Sequence, residues 1–138
     1  MFDHLNCYAT DYGATKKFYE AVLPALGFGL VTEMVATWDA SFPTRRMCAF
    51  GPPHKPSYWI IEVPANDKRT PHHVAFVAKD EAAVASFHKA ALAAGGKDNG
   101  APGPRPHYHP GYFGAFVFDP EGNNIEAVFH GSKKNDRP

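Results

Sequence analysis

The sequence predicts an α+β fold: two tandem βαβββ modules whose strands form a curled, mostly antiparallel sheet around a shared cleft. Three observations predict it. The second half of the 138-residue chain repeats the first at an offset of 69 residues, so His4, Asp11, Phe18, Leu23 and Gly27 recur as His73, Asp80, Phe87, Leu92 and Gly96. Each half opens with alternating residues, then an Asp, then an apolar pattern of helical period. Each half then closes in short runs rich in β-branched and aromatic residues, separated by Pro and Gly. A duplicated module brings its copies together about a pseudo-twofold axis. That relation places His4 and His73 at equivalent positions facing one cleft.

Residues 2–10 read as a strand, with Leu5, Cys7 and Ala9 on one face and His4, Asn6 and Tyr8 on the other. Asp11 sits where an N-cap belongs, and Ala14, Phe18, Ala21 and Val22 follow at helical spacing to Pro24 and Gly27. Tyr12 and Tyr19 are read as packing on that helix. Segments 28–36, 46–50 and 58–63 read as strands, and the linkers carry Pro43, Pro52, Pro53 and Pro56, which cannot donate to a central ladder. In the second half a strand at 73–79 leads to Asp80 and a helix through Val84, Phe87 and Leu92. DNGAPGPRPHYHPG reads as a loop before strands at 112–118 and 124–129, with Gly122 supplying the positive φ of the DPEGNN turn. The chain is thus expected to be one domain, 1–138. It comprises modules at 2–64 and 72–130, a linker at 63–71 and a polar C-terminal tail at 131–138.

Composition narrows the function classes. With 44% hydrophobic and 20% charged residues the chain can bury a core. Lys+Arg and Asp+Glu number 14 each, so nothing favours nucleic acid or an anionic membrane as a partner. No apolar run is long enough to span a bilayer, and MFDHLNCYATD lacks the features of a signal peptide. Cys7 and Cys48 share no motif, so a reduced, cytoplasmic protein is expected. No phosphate-cradling glycine loop, nucleophile elbow or CxxC pair is present.

The chemistry gathers on one face. His4 and His73 lie on the side of each opening strand away from the helix. Glu126 lies mid-strand between Ile125 and Ala127, where a carboxylate is costly unless paired or metal-bound. Two imidazoles and one carboxylate suit a divalent transition metal with open positions for water or substrate.

The doubled βαβββ pattern, the HVAF strand at 73–76 and the DPEGNNIE hairpin at 119–126 together resemble the vicinal oxygen chelate superfamily over residues 2–130. That superfamily includes glyoxalase I, extradiol dioxygenases, fosfomycin-resistance enzymes and bleomycin-binding proteins. The resemblance implies a metal held by a His on the first strand of each module and a Glu on the last strand. His4, His73 and Glu126 match those positions, and the expected cofactor is one divalent ion, Zn, Ni, Mn or Fe. Glyoxalase I has a second carboxylate in the first module. Here turn-to-turn alignment sets Ile60 opposite Glu126, with Glu62 two residues on and read as a strand-end charge. The resemblance also implies a small-molecule substrate and a homodimer, since half-closed sheets leave edges to cover.

The loop RPHYHPGYFG is placed to lid the cleft. His109 and Tyr112 are candidate general acids or bases, because imidazole titrates near neutrality and a phenol donates to a developing oxyanion. Arg105 is a candidate for a substrate carboxylate or phosphate. Asn6, Tyr8, Trp59, His107 and Tyr108 are candidate substrate contacts, with Trp38 and Phe42 within reach from a loop. The expected function is a metal-dependent, glyoxalase I-like lyase or isomerase chelating two oxygens of a small organic substrate. An Fe(II) extradiol-type dioxygenase uses the same triad. A metal-free, bleomycin-type binder built from Tyr8, Trp59, Tyr108, Tyr112 and Phe116 is the third reading.

Overall fold

The structure, a computed structural model, describes residues 1–131, so all but the first residue of the expected tail lies outside the described residues. The first module runs β1 (Leu5–Ala9), α1 (Tyr12–Val22), a 3-10 turn at Leu23–Leu26, β2 (Gly29–Val35), β3 (Arg46–Gly51) and β4 (Tyr58–Glu62). The second runs β5 (His73–Val77), α2 (Glu81–Ala93), β6 (Lys97–Pro104), β7 (Tyr112–Phe118) and β8 (Asn124–His130). Each module folds its four strands into its own sheet, in the orders β1-β4-β3-β2 and β5-β8-β7-β6. β1–β4 and β5–β8 pair in parallel and the other neighbours are antiparallel. The doubled, mostly antiparallel architecture expected from the repeat is therefore present. Among the described residues no helix is long and apolar enough to cross a membrane.

The repeated residues do repeated work. Asp11 Oδ1 accepts from the Ala14 amide at 3.1 Å and Asp80 Oδ1 from the Ala83 amide at 2.7 Å, so both cap their helices. Phe18 and Phe87 are buried at matching points of one core shared by both modules. The symmetry breaks at the fourth pair, because Leu23 is buried and Leu92 is largely exposed.

One element was misread. Residues 98–104, the first half of the segment read as loop, belong to β6 (Lys97–Pro104). Pro102 and Pro104 are tolerated there because β6 is the outer strand of its sheet, with irregular pairing at Gly100 and Gly103. The repeat itself carried the missing signal, since β2 shifted by 69 residues falls on 98–104.

The DPEGNN turn does more than reverse the chain. The buried Asp119 accepts from the Tyr19 hydroxyl at 2.5 Å and from the Glu121 and Asn123 amides and Asn123 Nδ2, each at 2.9 Å. Glu121 accepts from the Thr10 hydroxyl and the Asp11 amide, so the turn pins the end of β1 to the second module. Asp119→Ala would leave these donors unpaired in the core. It is expected to cost about 3 kcal/mol, read as a lower urea midpoint at unchanged m-value.

Candidate metal centre

Three neighbouring strands build the site. The register aligns Ala75 of β5 with Glu126 of β8 and Phe116 of β7, so Glu126 sits at the centre of its sheet and shares a face with His73, two residues before Ala75. Glu126 is only 2% exposed, yet it is an acid with no Lys or Arg partner among the described residues. Its Oε1 lies 3.1 Å from His73 Nε2, and its Oε2 accepts a short hydrogen bond from the Tyr112 hydroxyl. A Cβ at position 114 would stand 3.1 Å from that Oε2 and 3.2 Å from the Tyr112 ring, so Gly114 is what lets the ring lie flat over β7.

The tautomer of His73 follows from its other nitrogen. Nδ1 is 2.8 Å from the Asn124 carbonyl oxygen, which only accepts, so Nδ1 carries the proton. Nε2 then presents a lone pair to a carboxylate oxygen. Two acceptors at that distance repel unless a proton or a cation sits with them. Phe116 stacks on the imidazole with centroids 6.2 Å apart and completes its cradle. The imidazole edge is otherwise open to solvent, at 47% side-chain exposure.

Burial, followed by the hydrogen bond to Glu126, pushes the Tyr112 phenol well above its ordinary range. At neutral pH it is therefore a donor and not a base. Tyr108, His109 and His130 surround its ring, with centroids 4.9, 5.3 and 5.2 Å away. His109 Nδ1 donates to the Pro110 carbonyl at 2.7 Å, so its Nε2 accepts from His130 Nδ1 at 2.9 Å. His109 thus walls the Tyr112 ring and touches neither His73 nor Glu126. His130 escaped the sequence reading, although it shares the parity of Glu126 two positions past Val128. His107 is exposed and rests on Tyr108.

His4 is not brought to this cluster. It precedes β1, is exposed, and pairs with Asp3 at 2.6 Å. Among the described residues no three His, Cys, Asp or Glu side chains stand close enough to hold an ion. His4 lines a separate cavity of about 400 Å³ with Asp3, Asn6, Met47, Pro56, Trp59 and Ile61, all from the first module. Asn6 and Trp59 therefore line a face of the first sheet, while Tyr8 lies beneath the Arg69 guanidinium at 4.7 Å. Trp38 is exposed in its loop and Phe42 is covered by Arg45.

The register also corrects the alignment of the last strands. Asn6, the counterpart of Ala75, pairs with Trp59, so Trp59 and not Ile60 stands where the second module has Glu126. Glu62 then falls on the opposite parity and is held by Arg46, accepting from its backbone amide at 2.9 Å and from Nη2 at 2.6 Å. Those bonds hold its carboxyl below the usual range. One residue of slip in the GPPHKPS loop flips every side chain of the strand, which is why sequence spacing misplaced it.

The family model for the Glyoxalase/Bleomycin resistance protein/Dioxygenase superfamily matches residues 1–127. A glyoxalase/bleomycin resistance protein from Albidiferax ferrireducens T118 is 28% identical, with 95% of this chain and 99% of that chain covered at a TM-score of 0.69. A glyoxalase I variant from Zea mays is 20% identical, with 92% and 46% covered and a TM-score of 0.68. A variant of the genomically encoded fosfomycin resistance protein from Listeria monocytogenes, complexed with Mn(II) and a dihydroxypropylphosphonic acid, is 18% identical, with 97% and 94% covered and a TM-score of 0.64. No curated protein sequence matches significantly. With its repeated βαβββ modules and a family match across nearly its whole length, the chain belongs to the glyoxalase/bleomycin resistance protein/dioxygenase superfamily.

Proposed function

We propose that the protein is a metal-dependent enzyme of the glyoxalase I-like lyase or isomerase type, acting on a small organic substrate that offers two oxygens to one divalent ion. The observation that carries this reading is the facing pair of acceptors, His73 Nε2 and Glu126 Oε1, 3.1 Å apart over a buried floor. Two donors about 2.1 Å from one ion and at right angles stand about 3 Å apart, so the pair fits. The Mn(II) in the fosfomycin resistance relative is consistent with it.

His73 and Glu126 supply two donors, and His4 of a second copy is the proposed third. In support, His4 is exposed beside a cavity, no third donor joins the pair among the described residues, and β1 and β5 are sheet edges. Bound there, the ion would act as a Lewis acid on the chelated oxygens. The chain's own groups set the geometry. The Asn124 carbonyl and Phe116 aim the imidazole. Tyr112 occupies Oε2 of Glu126 and leaves Oε1 as the ligating oxygen.

Elemental analysis of protein purified without chelator or affinity tag tests the reading. About one ion per chain is expected, lost in His73→Ala. Iron would redirect the chemistry towards the extradiol type. No binding of Mn, Fe, Ni or Zn would leave an aromatic binding cleft as the better account. Tyr112→Phe is expected to keep the fold and weaken Mn(II) binding about 10–100-fold by calorimetry, because it frees Oε2 without removing a ligand.

A further inference from the structure

We propose that Arg105 is an anion anchor on the same face as the metal pair, so that the substrate is a small acid carrying a carboxylate, phosphonate or phosphate a few bonds from its chelated oxygens. The position of those oxygens rests on the metal reading above.

The first observation is charge. Of the arginines among the described residues, Arg45, Arg46 and Arg69 each pair with a carboxylate: Asp39, Glu62 and Asp67. Arg105 has no carboxylate within ion-pair distance among those residues. Its contacts are to backbone carbonyls, Nη1 donating to Gly103 at 2.9 Å and Nη2 to Ala101 at 2.9 Å, with a longer approach of Nη1 to Pro104 at 3.5 Å. Carbonyls orient a guanidinium without neutralising it, and two good bonds leave part of its five-donor fork unspent. A half-buried, pre-aimed and unneutralised guanidinium is what bidentate recognition of an oxyanion needs.

The second observation is place. The Arg105 guanidinium carbon lies 5.5 Å from the Phe116 centroid, and Phe116 in turn stacks on His73. A Cβ at Gly100 would meet Nη2 at 3.2 Å and one at Gly103 would meet Nη1 at 3.4 Å, so side-chain-free positions let the guanidinium lie against β6. Gly100 aligns with Phe116 and Phe116 with Glu126, which sets β6 two strands, about 10 Å, from the backbone of β8 that carries the carboxylate. Gly103 aligns with Gly114, beneath the Tyr112 ring, so the charge borders that ring. A substrate chelated beside His73 therefore reaches Arg105 with an anionic group a few bonds along.

Calorimetry on the Mn(II)-loaded protein tests this with three probes sharing an α-hydroxy acid end: 2-hydroxybutyrate, 2-hydroxyglutarate and 2-hydroxy-4-phosphonobutyrate. The wild type is expected to prefer at least one of the distal anions to 2-hydroxybutyrate by about tenfold or more, and which one separates a carboxylate from a phosphonate site. Arg105→Gln is expected to bring the ratio to about one while leaving 2-hydroxybutyrate unchanged. Arg105→Lys, which keeps the charge and loses the fork, is expected to fall between. A thermal melt of each variant excludes loss of fold. No preference in the wild type, or a preference that survives Arg105→Gln, overturns the proposal. A second arm separates this proposal from the metal reading: inorganic phosphate is titrated into the metal-free protein and read at the Arg105 Nε–H resonance. A saturable shift supports the anchor even where no metal binds, and its absence together with a flat probe series overturns it.

Discussion

Glu126→Gln is expected to lower the affinity for Mn(II) by at least about a hundredfold while raising the stability of the metal-free protein by about 1–3 kcal/mol. The two signs have one cause. In the metal-free protein Glu126 buries a charge at 2% exposure and turns one oxygen towards an imidazole nitrogen that is itself an acceptor. The isosteric amide resolves both faults. Its NH2 donates to His73 Nε2, its oxygen still accepts from Tyr112, and the buried charge is gone. The same change removes the anionic ligand, so metal affinity collapses. Calorimetry with Mn(II) reads the loss and a metal-free thermal melt reads the gain, expected as several degrees. A purely structural carboxylate, paired with a protonated His73, would behave oppositely, and Glu126→Gln would then melt earlier.

Mixing two metal-dead chains is expected to restore metal binding. If His4 of one copy completes the site of the other, His4→Ala and Glu126→Ala each empty both sites of a homodimer. In a mixed dimer one site combines both defects and the other is intact, because it draws His4 from the Glu126→Ala chain and His73 with Glu126 from the His4→Ala chain. Random reassortment makes about half the dimers mixed, so about a quarter of wild-type Mn(II) sites return. Electron paramagnetic resonance of bound Mn(II), before and after joint unfolding and refolding of the two chains, makes the count. A site closed within one chain would give no recovery. The separation of the His4 cavity from the His73–Glu126 pair is what favours recovery.

Much of this was legible in the sequence because it is written in periodicity. The 69-residue repeat, the two Asp caps and the alternation around His73 and Glu126 each depend on local spacing, and local spacing survives folding. The repeat even contained β6, which Pro102 and Pro104 hid. What spacing does not carry is register. Trp59 rather than Ile60 stands opposite Asn6 because of how the Pro-rich loop before β4 closes, and that one-residue difference sent Glu62 to Arg46. His109 and Tyr112 looked equivalent as loop residues, yet only Tyr112 lies over a glycine and reaches the carboxylate.

The sequence by itself determined the doubled α+β architecture, the second-module pair His73 and Glu126, and the face they share, since each follows from a period of two or 3.6 residues. Only the tertiary structure decided which atoms meet. It set the proton on His73 Nδ1, gave Oε2 of Glu126 to Tyr112, left Arg105 without a carboxylate among the described residues and kept His4 away from the pair. Those outcomes depend on how separate strands and sheets align across the core, and contacts between segments distant in the chain leave no periodic trace in it.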